Sequence, residues 1–194
     1  AIDIGEQPTL VTNQLDQWIL QYTNNFIKLV HADIETYKLY YIYDRITNII
    51  DKLSRWYIKL NKQRFLTNDN IALSVYYYCL RHIIVTIAPI VPFISEIIYQ
   101  KIKNVGNERE DSIHFIQMAK TIWKQDPKLL KPMEYFCKII NGSRCIRSMN
   151  NIYLKMPVYK LIVIHYNREL LEGLTQLQDI LVNELNIMEL ELND

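Results

Sequence analysis

Glycine is scarce, with 4 residues in 194. So few glycines cannot supply the many tight turns of a sandwich or barrel, which excludes those all-β folds in favour of helices. Cysteine is scarce as well. Cys79, Cys137 and Cys145 are far apart and form neither a CxxC pair nor a Cys/His cluster, so a structural zinc site or a disulfide framework is excluded. Free thiols suit a reducing compartment, and a cytoplasmic location is expected. No uninterrupted apolar run reaches ~18 residues, so no membrane partner is expected. There is no GxSxG, no phosphate-cradling glycine loop, and no histidine at metal spacing to another ligand. His31, His82, His114 and His165 each read as structural. The acids read as lying on helix surfaces or in the last strand. No catalytic residue, no metal ligand and no cofactor is therefore assigned to this segment. The sequence begins with Ala1 rather than Met, which reads as a piece of a longer protein.

What the chain does contain is ordinary globular material, 49% hydrophobic and 22% charged, enough to bury a core. Its net charge of +1 conceals an asymmetry. Residues 1–50 carry 3 Lys/Arg and 6 Asp/Glu, residues 51–160 carry 18 and 8, and residues 161–194 carry 1 and 7. A basic middle between acidic ends points to one cationic surface for a polyanion. The same count also fits a chain rich in Ile, Asn, Lys and Tyr throughout.

Apolar spacing predicts a mainly α fold: an up-and-down helical bundle followed by a small α+β subdomain. Residues 1–12 form an extended lead-in and 13–103 the bundle. Residues 104–130 form a linker and 131–194 the C-terminal subdomain. The first helix runs from an Asn13 N-cap to His31 on the stripe Leu15, Ile19, Tyr22, Phe26 and Leu29. The second is read as one unbroken helix over 36–65, with Leu39, Ile42, Ile46, Ile49, Leu53, Trp56 and Leu60 buried. A third ends near Ala88 with Leu73, Tyr76, Leu80, Ile83 and Ile87 inward, and Pro89 and Pro92 close it. A fourth, Phe93 to Lys103, buries Ile94, Ile97, Ile98 and Ile102. Residues 131–149 form a fifth helix. Tyr159–Tyr166, a helix over 168–185 and Met188–Leu192 then read as strand, helix and strand.

The end of the second helix carries the most information. Lys52, Arg55, Lys59 and Lys62 recur at spacings of 3, 4 and 3, within an arc of about 80° on an α-helix. Spaced cations on one face match spaced phosphates, so these four are the candidates for gripping a nucleic-acid backbone. Asn61, Gln63 and Arg64 at the helix end are the candidates for reading bases, and Trp56 and Tyr57 for stacking or positioning. The alternative is a solvated helix face whose Lys stems cover apolar surface.

These residues also carry a resemblance. Leu15-Asp16-Gln17-Trp18-Ile19-Leu20 resembles the D-x-W-I-L start of the anticodon-binding bundle of class I aminoacyl-tRNA synthetases. Trp56 to Phe65 resembles their W-Y-(I/V)-R-x-N-R-x-R segment, and Ile87 to Tyr99 resembles L-A-P-x-x-P-F-x-x-E-x-x-Y. Gly142 to Arg147, Leu154 to His165 and Glu184-Leu185-Asn186 then look like the stretch after the bundle in isoleucyl-tRNA synthetases of the eukaryotic cytosolic type. The family often has Arg where this chain has Lys59, Lys62 and Gln63; Lys keeps the charge but loses the planar fork. The resemblance implies binding to the anticodon stem-loop of an isoleucine-accepting tRNA. It also implies a catalytic domain in the same parent chain, which would use ATP with Mg. The HIGH and KMSKS signatures of that domain are absent from these residues. The alternatives are the same bundle from a valyl- or leucyl-tRNA synthetase, and a helical protein-interaction module without RNA. The segment alone is expected to show no isoleucine-dependent ATP–pyrophosphate exchange; exchange above a mock preparation would refute this.

Overall fold

The computed structural model describes residues 8, 11–106, 108–119, 121–123 and 130–193. Most of the expected lead-in and part of the expected linker lie outside those residues. The chain divides into two units, 1–125 and 126–194.

The first unit is the helical bundle. Helix α1 (Gln14–Glu35) starts where the Asn13 side chain accepts a hydrogen bond from the Leu15 N–H at 2.8 Å. It continues one turn past His31, and its buried face is broader than the expected stripe. Trp18, Leu20, Ile27 and Val30 are buried, whereas Leu29 is partly exposed. Breadth follows from position: α1 packs against α2 (Tyr40–Asp51), the segment that continues it, and α4 (Asn70–Ile87).

The expected unbroken second helix is three pieces. After α2 the chain widens into a π-helical segment, Lys52–Ile58, bends at Asn61, and resumes as α3 (Lys62–Leu66). The buried residues explain the widening. Ile49, Leu53, Tyr57 and Asn61 are all buried at a spacing of four. Four residues overshoot an α-turn by about 40° but fall short of a full i→i+5 turn, so mixing the two keeps all four on one side. Tyr57 and Asn61 thereby replace Leu60, which is only half-buried.

Helix α4 is capped by Asp69, whose carboxylate accepts from the N–H of Ile71 and Ala72. Its innermost face is Ala72, Val75 and Cys79 rather than Leu73, Tyr76 and Leu80. Small side chains let α4 approach α1 closely, while the larger ones fill the flanks. It is long and apolar enough to cross a membrane, yet two-thirds of it is buried inside the protein, as in a core helix. In α5 (Pro92–Ile102) the expectation is also corrected. Ser95 and Tyr99 face inward, and Ile94 and Ile97 are each 58% exposed. The reason is the segment that follows. Glu96 accepts from Ser112 Oγ and the Ile113 N–H, and Tyr99 Oη donates to the Glu110 carbonyl, which rotates that face of α5 toward residues 110–113. Ile113 then joins Ile84, Val85, Ala88 and Tyr99 in one core cluster. Further on, the Ile122 N–H donates to Asn24 and its carbonyl accepts from Tyr78, so residues past the expected bundle limit help close it.

The second unit contains α6 (Leu130–Met149), β1 (Val158–Ile164), α7 (Arg168–Thr175), α8 (Gln178–Leu185) and β2 (Ile187–Asn193). The strands pair directly and in parallel, from Val158 opposite Ile187 to Ile164 opposite Asn193. The helix expected over 168–185 is two, separated where the Leu177 N–H bonds the Leu174 carbonyl in a tighter turn. Glycine scarcity is met by asparagine: Asn68, Asn151 and Asn186 adopt the left-handed conformation, in which no described glycine is found. Gly106 answers a different need, because a Cβ there would lie 2.0 Å from Tyr77 Oη.

His82 supplies a test of the core. Burial, assisted by Arg81, depresses its pKa from 6.5 to about 4. Between those values the unfolded chain binds the proton and the folded chain does not, so stability falls as pH falls through that window. Denaturant titrations at pH 7 and 4.5 should differ by roughly 1–3 kcal/mol from this group, and His82→Gln should remove that part of the slope.

Candidate nucleic-acid interface

The candidate residues separate into two sets when placed in the fold. Arg55, Lys59, Lys62 and Gln63 are exposed, and Lys52 is half-buried with its ammonium 5.7 Å from the Trp56 ring centroid. Arg55 pairs with Asp51 at 3.3 Å across one turn. Because Lys52 and Arg55 lie in the π segment, a three-residue step no longer nearly completes a turn, and the uniform stripe drawn on an α-helix is broken at its start. Lys59, Lys62 and Gln63 fall after the widened segment, around the Asn61 bend.

The other set is internal. Tyr57 is 0% exposed and Asn61 is 2% exposed, and Trp56 is buried, so none of them presents a face for stacking on or reading a base. Arg64 is expected at the surface but is drawn inward. Its Nη1 and Nη2 donate to the two oxygens of Asp16, both at 2.8 Å, its Nε donates to Asp69 at 2.7 Å, and Nη1 also reaches Asn61 Oδ1 at 2.9 Å. Asp16 accepts a third hydrogen bond, from Tyr57 Oη at 2.8 Å. The hydrogen bond to Asp16 holds the Arg64 guanidinium's pKa above its usual value against the opposing effect of burial. Burial, then the Asp16 charge, raises the Tyr57 hydroxyl, which stays protonated and donates. At Asp69 burial acts upward, but Arg64 and the helix N–H groups outweigh it and the carboxyl is held below its usual value.

The acids expected on helix surfaces include two that are not. Asp16 is fully buried and Asp33 is buried beside Arg45. A signal for Asp16 exists in the sequence: on an α-helical wheel it lies about 60° from Ile19 and about 40° from Leu20, inside the apolar arc. An acid there requires a cation, but α1 by itself does not say which one.

The arrangement is a surface of cations at a helix end, fastened from beneath by a buried charge network. It contains no cluster of His, Cys, Asp and Glu able to hold a metal among the described residues. The Cys79 thiol, pushed up to about 12 by burial, is not poised as a nucleophile. The exposed charge of the surface is positive, the sign that attracts a polyanion.

Comparison with known proteins agrees with this class. The family described as the anticodon-binding domain of tRNA ligase matches residues 16–163. The chain belongs to that family. It is 32% identical over 192 residues to the cytoplasmic isoleucine–tRNA ligase of Schizosaccharomyces pombe, covering 93% of this chain and 18% of that protein. It is 30% identical to the isoleucine–tRNA ligase of Tetrahymena thermophila, covering 92% and 17%. With the cytoplasmic isoleucine–tRNA ligase of Caenorhabditis elegans the identity is 28%, over 93% and 16%. The chain thus spans about a sixth of the length of the curated relatives it matches.

The network predicts a large cost for one truncation. Arg64→Ala strands Asp16 as an uncompensated buried charge and should destabilise the fold by about 3–5 kcal/mol in urea unfolding. The double variant Asp16→Asn, Arg64→Met should cost less than the sum of the single changes, because the charges are removed together. Additive costs would mean that the two residues act independently.

Proposed function

We propose that this segment binds the anticodon stem-loop of an isoleucine-accepting tRNA, as part of a longer cytoplasmic ligase that joins isoleucine to tRNA with ATP and Mg. Support comes from the family match together with the exposed cations around the Asn61 bend. Isoleucine is favoured over valine or leucine because the three relatives described above are isoleucine–tRNA ligases.

Within this reading Lys59 and Lys62 contact phosphates, with Lys52 and Arg55 contributing from the π segment. Gln63, the exposed polar group at the start of α3, takes the role of base reader. Arg64, Asn61, Tyr57 and Trp56 act from behind the surface. They fix where the helix end points and make no RNA contact of their own. A rigid end matters because the entropy lost in ordering a wandering lysine offsets what its phosphate contact contributes. Catalysis belongs to the remainder of the ligase.

The test is binding to cognate and non-cognate tRNA across a salt series. Lys59→Glu should weaken both tRNAs by on the order of ten-fold and reduce the salt slope by about 0.7, since phosphate contacts carry no sequence information. Gln63→Ala should act mainly on the cognate preference. If Lys59→Glu leaves affinity and slope unchanged while circular dichroism shows a folded chain, the cations are a solvated face and the tRNA assignment to this surface fails.

A further inference from the structure

The second unit holds a pocket of about 350 Å³ lined by Arg144, Arg147, Ser148, Asn151 and Tyr153. It lies where the C-terminal turn of α6 meets the loop leading to β1. Arg144 and Arg147, three residues apart, project from the same side of α6. Arg144 is ion-paired with Glu184. Arg147 is 7% exposed, and its terminal nitrogens donate only to backbone carbonyls. Nη1 reaches Leu185 at 2.7 Å, and Nη2 reaches Tyr153 at 3.1 Å and Met156. No carboxylate among the described residues pairs with it. The pocket therefore carries two guanidinium charges against one acid. Moreover, the Nε–H groups of both arginines are buried and lack any hydrogen-bond acceptor. Both therefore sit behind the lining, and what the pocket presents to a ligand is the positive charge of the two guanidinium groups.

We propose that this pocket is an oxyanion site that takes one phosphate group of an RNA backbone. The inference rests on the tRNA reading above for the source of the phosphate, and extends it to a second contact on a separate unit. A phosphate offers several acceptor oxygens and negative charge together. It would balance the excess cation, as it does at other arginine-lined phosphate sites. Ser148 is exposed at the lining and adds a hydroxyl donor without carrying the fold.

Inorganic phosphate serves as the first probe, with the side-chain Nε–Hε resonances of Arg144 and Arg147 as readout in the full 194-residue chain. Phosphate should shift both in a saturable way that chloride at equal ionic strength does not. Ser148→Asp should weaken phosphate binding on the order of ten-fold through like-charge repulsion, and Ser148→Lys should strengthen it. A folding defect would instead weaken both variants, which opposite signs exclude. The second probe is tRNA: Ser148→Asp should lower its affinity and Ser148→Lys raise it. If phosphate fails to move the two resonances, or chloride moves them equally, the site is refuted whatever the tRNA result. If phosphate binds but tRNA affinity ignores both Ser148 variants, the RNA source is refuted. Loss of the Lys59→Glu effect with the Ser148 effects intact would reject the bundle surface and leave this site standing.

Discussion

The bundle depends on one buried pair of charges. Asp16, in the first turn of α1, and Arg64, in α3, are 48 positions apart and meet through two parallel hydrogen bonds. Neither is optional once the other is inside. A carboxylate taken out of water without a partner costs several kcal/mol, and the bidentate geometry with Tyr57, Asn61 and Asp69 around it is what offsets that cost. Asp69 is also the N-cap of α4, so the same guanidinium ties the start of α1, the end of the π-containing helix and the start of α4 into one corner. Lys59 and Lys62, two of the cations proposed to meet RNA, flank the Asn61 bend next to Arg64 in the chain.

The motif-like residues of the bundle are therefore mixed in role. Those that look most like recognition chemistry, Arg64 and Tyr57, serve the scaffold, while the plainer Lys59, Lys62 and Gln63 are at the surface. A similar division holds further along. Glu96 and Tyr99 anchor residues 110–113 to α5, whereas the neighbouring Phe93, 83% exposed, stands away from the core of the first unit. In the second unit Arg144 reaches Glu184, Arg147 reaches the Leu185 carbonyl, and Asn186 Nδ2 donates to the Leu154 and Lys155 carbonyls. Three separate sequence motifs meet there, beside the pocket lined from Arg144 to Leu154.

Much of this is legible in the sequence alone. The mainly helical first unit, the Asn13 cap and the two C-terminal strands with helix between them follow from periodicity and capping chemistry, which are local properties, and the resemblance of the motifs adds the class of protein. Periodicity assumes one angular step per residue. It misplaces the buried stripe wherever the chain departs from that step, as at Lys52–Ile58, or is surrounded on several sides, as in α1 and α4. Local pattern also treats charged residues as surface residues, since exposure is their usual state.

The sequence by itself determined a mainly helical protein with a strand–helix–strand ending and a basic middle, because composition and spacing act within a turn or two. Only the tertiary structure decided which of its cations face water. Asp16 lies in an apolar arc and demands a positive partner, yet 22 Lys and Arg residues compete for that place. The selection of Arg64 comes from the packing of α1 against the widened helix, a contact between segments that no local pattern encodes.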